Sequence, residues 1–383
     1  MSRYRWVVLG AGVGAQASYS ALGTGVSVLL PALRDEYGLS LGEVGLLLGG
    51  TSGGMVLTLL LWGLATDRVG ERAVVGLGLG AAGAAYAAAA GLPPYAALFA
   101  LLTVAGMCGA SVSAASGRAV MGWFRAEERG FALGIRQTAV PLGWAVAALA
   151  LPPLVAVGGL QTGFAALGAF ALVASLVGVA LLRDPPGKSL EMGDVGRPLH
   201  DRRLWRLCLG STFYVVVQIA ITSFLVLFLH EERAFSLGAA GGVLAVVSVL
   251  GGALRITLGR LSDRRRTRLV PLRWVGVALA AAVAVAAALM NAPNVVLVPA
   301  LTVAGALSAS WNGLSFTAAA ELAGRARAGA ALGFQQTALA VGCAIAPAPF
   351  AAMVELTSWQ ASFAVLAALP LAGVWMLGPL ARE

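Results

Sequence analysis

The sequence predicts an all-α polytopic membrane protein: twelve transmembrane helices arranged as two pseudo-symmetric six-helix bundles. Three observations carry that expectation. Apolar residues make up 59% of the 383 and charged residues only 11%, where an ordinary soluble domain has about 25% charged residues. So few charges cannot cover a soluble surface of this size, and the mean hydropathy of +0.86 agrees. Apolar runs of about 20 residues, the length that crosses a bilayer as a helix, recur along the whole chain. Finally, ALGIRQTAVPLG at 132–143 returns as ALGFQQTALAVG at 331–342 with seven of twelve positions identical, the mark of an internal repeat.

The runs fall near 6–31, 43–66, 73–91, 95–122, 130–153 and 160–182, then 205–229, 237–258, 270–290, 294–321, 329–353 and 359–380. The first, from Trp6 to Pro31, is too long for a signal-peptide core and is read as a retained span. Short connections such as Gly91-Leu92-Pro93-Pro94 imply antiparallel neighbours. RDPPGKSLEMGDVGRPLHDRRLWR at 183–206 is the one long charged stretch rich in Pro and Gly. It separates an N-terminal bundle, 1–182, from a C-terminal bundle, 205–383, with a cytoplasmic linker at 183–204. Six spans per half give both halves the same orientation, related by an axis along the membrane normal.

Loops on the cytoplasmic side collect Arg and Lys, so the 26 basic residues fix the orientation. With the N-terminus in the cytoplasm, 21 fall on cytoplasmic segments and only two, Arg34 and Arg233, on external loops. Both termini are then cytoplasmic, as in a multi-pass protein of a bacterial inner membrane. Topology also accounts for the pI near 10.3 without a nucleic-acid partner. Cys108, Cys208 and Cys343 lie far apart in apolar spans, with neither metal nor disulfide spacing. With no metal-ligand cluster, nucleophile–base pair or cofactor motif, the expectation is a monomeric, cofactor-free and metal-free protein that is no enzyme. Its partners are the lipid bilayer and a small molecule.

Between the second and third spans the chain reads GLATDRVGER, with Gly63, Asp67, Arg68, Gly70 and Arg72 in the pattern G-x-x-x-D-R-x-G-x-R. Gly70 permits a tight turn, Asp67 can face a helix N-terminus, and Arg68 and Arg72 can pair with acids. GRLSDRRRTR repeats the spacing between spans eight and nine. There Gly259, Asp263, Arg264 and Arg268 keep the pattern and Arg266 replaces the turn glycine. With twelve spans and a six-plus-six repeat, these residues make the chain resemble the major facilitator superfamily along essentially its whole length. The resemblance implies a solute carrier whose two bundles rock about a central site. It also implies that Asp67, Arg68 and Arg118 latch the cytoplasmic side in the outward-facing state.

Three arginines remain inside the spans: Arg118, Arg136 and Arg255. An arginine at mid-helix costs about 2.5–3.5 kcal/mol on insertion scales, so each needs a reason. Arg118 lies near a span end, where its head can snorkel to the interface or meet the loop motif, a structural or gating role. Arg136 sits seven residues inside Arg129, about 10 Å along a helix. Arg255 lies on a face of small residues, Ser248, Gly251, Gly252 and Gly259, which reads as either a packing seam or a cavity wall. For Arg136 and Arg255 a central anion site competes with internal salt bridges. The acids favour the site: Glu43, Glu321 and Glu355 reach only span ends, none sits mid-span, and His200 and His230 are in loops. A buried cation without a protein counter-ion favours an anionic ligand.

Other polar groups can line the same cavity: Gln16 and Tyr19 with Ser20 on span one, Tyr214 and Gln218 with Thr222 on span seven, and Trp311, Asn312 and Ser315 on span ten. In span eleven, Gln335 and Gln336 echo Arg136 and Gln137. Each of these could instead bridge helices. RITLGRLSD resembles a stretch of oxalate/formate-exchanger and monocarboxylate-carrier relatives, which implies that Arg255 contacts a substrate carboxylate. WFRAEERGFALGIRQTAVPLG resembles organic-anion and cyanate-permease-like carriers, and the glycine-and-asparagine signature of nitrate carriers is absent from spans five and eleven. The expected function is secondary transport of a small organic anion. The alternative is a proton-coupled efflux pump for hydrophobic compounds, a class that usually needs a membrane-embedded acid.

Overall fold

The computed structural model describes residues 3–124, 132, 135–183, 201–265, 267–324 and 328–381. The side chains of Asp67 and Arg118 and most of the 183–204 linker lie outside the described residues. The first helices are α1 (Tyr4–Tyr37), α2 (Leu41–Ala89), α3 (Tyr95–Trp123) and α4 (Ala139–Leu181), the last preceded by a helical turn at 135–137. Next come α5 (Arg202–Glu231), α6 (Leu237–Arg265) and α7 (Leu269–Ala288). The last spans are each built from two helices: α8 (Asn294–Ser308) with α9 (Asn312–Ala323), α10 (Ala328–Ile345) with α11 (Pro347–Leu356), and α12 (Trp359–Leu366) with α13 (Leu369–Leu377).

Two of these runs are each two crossings. The α2 run breaks at Gly70, whose φ of 84° and ψ of 165° suit glycine alone. The α4 run breaks at Gly158 and Gly159, the latter at φ 67°. A Cβ built on Gly163 would stand 3.1 Å from Cγ2 of Val155. In one straight helix those eight residues would span about 12 Å, so the chain turns back on itself there. With these breaks, the described helices fall at the twelve expected positions. Ten stretches among the described residues are long and apolar enough to cross a membrane. The α1 helix is not among them, because Gln16, Ser18, Tyr19 and Ser20 dilute its apolar character.

Local chemistry sets the ends. Ser40 and Glu43 form a reciprocal capping box at the start of α2: the Glu43 N–H donates to Ser40 Oγ at 3.2 Å and the Ser40 N–H to Glu43 Oε2 at 2.9 Å. Gly38, at φ 65°, closes α1 with its N–H on the Arg34 carbonyl at 2.8 Å. Close packing then uses small residues. A Cβ on Gly106 of α3 would fall 1.9 Å from the Thr51 carbonyl of α2, so only glycine lets these backbones meet. Large apolar side chains also face outward, Leu60 at 72%, Val157 at 92% and Trp375 at 79% exposed, as a lipid-facing surface requires.

The chain divides into two compact units, Met1–Leu190 with Leu225–Ala245, and Glu191–Phe224 with Val246–Glu383. In the first, α1 packs on α4 and α2 on α3, and Tyr86, wholly buried, donates to the Leu22 carbonyl at 2.8 Å. The second is built around Tyr214, Trp311, Leu272, Leu314 and their neighbours.

Candidate functional site

In the first unit, Arg136 occupies the helical turn that leads into α4. Its Nε donates to Ser116 Oγ at 2.9 Å and Nη1 to Gln137 Oε1 at 3.3 Å. Its Nη2 donates to Gln16 Oε1 at 3.3 Å and to the Ser113 carbonyl at 3.2 Å. Two helices, α1 and α3, and the neighbouring Gln137 thus converge on one guanidinium, and every partner is neutral. No carboxylate among the described residues pairs with Arg136. Ser116 is itself fixed, donating to the Val112 carbonyl at 2.5 Å. Gln16 and Gln137 are therefore brought together with Arg136 as the sequence predicts, whereas Tyr19 lies against α3 at Gly109. Sequence reasoning missed Ser113 and Ser116. Their signal was present in SVSAAS, a run of small polar residues in a span facing the repeated motif.

In the second unit, Arg255 of α6 is 7% exposed and its Nη2 donates to the Ala309 carbonyl at 2.7 Å. That carbonyl is available because α8 ends at Ser308 and α9 starts only at Asn312. A helix leaves its last carbonyls without intrahelical partners, and a cation there complements the helix dipole. The stem of Arg255 runs over Gly313, whose added Cβ would lie 3.4 Å from Cγ. Asn312 Nδ2 donates to Gln218 Oε1 at 3.4 Å, and Thr222 Oγ1 to the Gln218 carbonyl at 2.8 Å. Gln335, fully buried, donates from Nε2 to Ser315 Oγ, which in turn lies 2.5 Å from Ser211 Oγ. Gln336 beside it is half-buried. Tyr214 and Trp311 are wholly buried and meet edge-on at 5.8 Å, within the packed interior of the unit.

The two copies of the loop motif differ. In the first, Gly70 makes the turn and Arg68 and Arg72 are exposed, while Gly63 has nothing within 4 Å of an added Cβ. Glu71, an unspecified position of the pattern, is 3% exposed at the start of the helical segment after the break. A carboxylate is well placed there against the positive end of the helix dipole. In the second copy, Arg268 binds Asp263, Ser262 Oγ at 2.6 Å and Glu321 Oε1 at 2.9 Å, tying the end of α6 to α9. Arg264 is exposed, and Gly259 again has open space around it.

Comparison with known proteins agrees with this architecture. The family model of the Major Facilitator Superfamily matches residues 12–347. An uncharacterized MFS-type transporter of Mycobacterium tuberculosis is 34% identical over 380 residues, spanning 97% of this chain and 84% of its own length. A probable sulfoacetate transporter of Cupriavidus necator is 26% identical over 377 residues, 90% of this chain and 86% of that one. Among solved structures, a bacterial homolog of the human lysosomal transporter Spinster, in an inward-facing and occupied conformation, superposes with a TM-score of 0.81 at 17% identity. It covers 100% of this chain and 98% of that one. The nucleoside transporter NupG gives 0.76 at 14% identity, covering 97% of this chain and 99% of that one. Matched over most of its length by a family of membrane transporters rather than enzymes, the chain belongs to the major facilitator superfamily.

Proposed function

We propose that this transporter moves a small organic anion, a carboxylate or a close acidic relative, by rocker-switch alternating access. In this reading Arg136 and Arg255 supply the positive charge that recognises it. Gln16, Gln137, Gln218, Asn312, Gln335 and Gln336 supply neutral hydrogen bonds. Both termini and the linker face the cytoplasm, the membrane is a bacterial inner membrane, and the carrier works as a monomer. The six-plus-six division at 183–204 is the inherited repeat.

The observation that carries the reading is the setting of Arg136. Its guanidinium makes four hydrogen bonds, to α1, to α3 and to the neighbouring Gln137, all to neutral groups. Such bonds orient a cation without cancelling its charge, and at low dielectric that charge attracts an anion strongly. A relative described as a probable sulfoacetate transporter supports an acidic cargo.

The test is a thermal-shift screen of the purified protein against acetate, malonate, sulfoacetate and the lipophilic cation ethidium, followed by uptake of the labelled hits into proteoliposomes. At least one anion should stabilise the protein and enter saturably, and Arg136→Gln or Arg255→Ala should weaken both by tenfold or more. Ethidium transport that survives both substitutions, with no anion response, overturns the proposal and favours the efflux reading.

A further inference from the structure

The two units repeat one contact at a constant spacing. Arg136 donates to Ser116 in the first, and Gln335 donates to Ser315 in the second. Each member of the second pair lies 199 residues after its counterpart. Ser113, whose carbonyl takes the second Arg136 contact, has Asn312 at the same offset, and Asn312 reaches Gln218. Gln218 stands in α5 as Gln16, the fourth Arg136 neighbour, stands in α1. So a serine at the same repeat position receives a guanidinium in the first unit and a neutral amide in the second.

The amide is not an equal substitute there. Gln335 is fully buried, and while its Nε2 is bonded, its Oε1 has no hydrogen-bond partner among the described residues. A buried acceptor left unpaired carries a desolvation penalty that a donor-only side chain would avoid. Neutrality at this position therefore leaves one acceptor unmet, whereas a guanidinium would bury a second cation at greater cost.

We propose that Gln335 is a specificity-determining residue: its neutrality limits the cargo to the negative charge that Arg136 and Arg255 can match. The inference rests on the anion reading above and adds which residue sets the charge accepted. It follows that charge placed at 335 shifts preference among anions in proportion to its sign.

Affinities for acetate, malonate and tricarballylate, with one, two and three carboxylates, can be measured by thermal shift at pH 7.5. Gln335→Arg should raise the tricarballylate-to-malonate affinity ratio roughly tenfold, as one added charge at an effective dielectric near 20 allows. Gln335→Glu should move preference toward acetate, so the inference stays testable if either variant fails to fold. The double variant Arg136→Gln/Gln335→Arg should recover malonate binding lost in Arg136→Gln. If the wild type and Arg136→Gln behave as the anion reading requires but neither substitution at 335 changes the ratios, this inference is overturned and that reading stands. A wild-type protein that responds to none of the three anions overturns both.

Discussion

Arg34 and Glu231 form an ion pair that joins the last turn of α1 to the last turn of α5. Arg34 is one of only two basic residues that topology sends to the arginine-poor side, and the pair gives it a reason to be there. Its Nε also donates to the Leu39 carbonyl at 2.9 Å, and His230 Nδ1 lies 2.7 Å from the Phe235 carbonyl. Arg34, Leu39, His230 and Glu231 line an open recess of about 440 Å³ with Asp35 and Gly38.

Burial pushes the Glu231 carboxyl above its ordinary value. Arg34 and His230 pull it down, while Asp35 and Glu232 add to the rise. A carboxyl raised in the folded state contributes stability below its unfolded value, and the contribution is lost as pH rises through the folded value. The net contribution of Glu231 to stability should therefore be largest in acid, where burial of the neutral acid is favoured, and fall as pH climbs above the usual carboxylate range, about 4.3. Glu231→Gln should flatten this part of the pH dependence of the thermal midpoint. An unchanged slope would show that Glu231 does not titrate there.

Arg136→Gln places in the first unit the residue that the second already accommodates beside its own serine. It should fold, and without ligand its midpoint should equal or exceed that of the wild type, because a desolvated cation has been removed. Anion-induced stabilisation should weaken by tenfold or more. A fall in the ligand-free midpoint of several degrees would assign Arg136 a structural role.

Ser116→Ala leaves Arg136 Nε without its acceptor, a loss of about 1–3 kcal/mol for a buried charged donor. Anion affinity should fall while the order of preference among anions stays the same, since the charge remains. Calorimetry on a panel of anions reads both quantities. A reordered panel would mean that Ser116 itself contacts cargo.

Gly70→Ala should destabilise by about 1–3 kcal/mol, because its backbone lies where a Cβ is strained. Gly63→Ala, in the same motif but with open space around it, should be neutral. Denaturant midpoints compared between the two variants separate the turn requirement from a general intolerance of the loop.

Much of this was legible in the sequence, for reasons that particular residues make plain. Twenty-residue apolar runs and the 132–143/331–342 repeat leave little freedom in the fold, since lipid demands internally bonded helices. Arg136 and Arg255 announced themselves by cost alone. What the sequence hid were partners of ordinary appearance. Ser116 looks like any small residue of a packed span until Arg136 is placed against it. The Ala309 carbonyl that receives Arg255 carries no side-chain signal at all, because it becomes available only where the helix is interrupted. Likewise GLATDRVGER marks Gly70 as a turn but gives no hint that Glu71 is buried.

The grip of Arg255 on Ala309 has a mechanical side. The carbonyl it holds lies where a span is interrupted, between a helix that ends at Ser308 and one that begins at Asn312. Under the anion reading, capture of a charge by Arg255 would compete with its tie to the carbonyl at the α8–α9 joint.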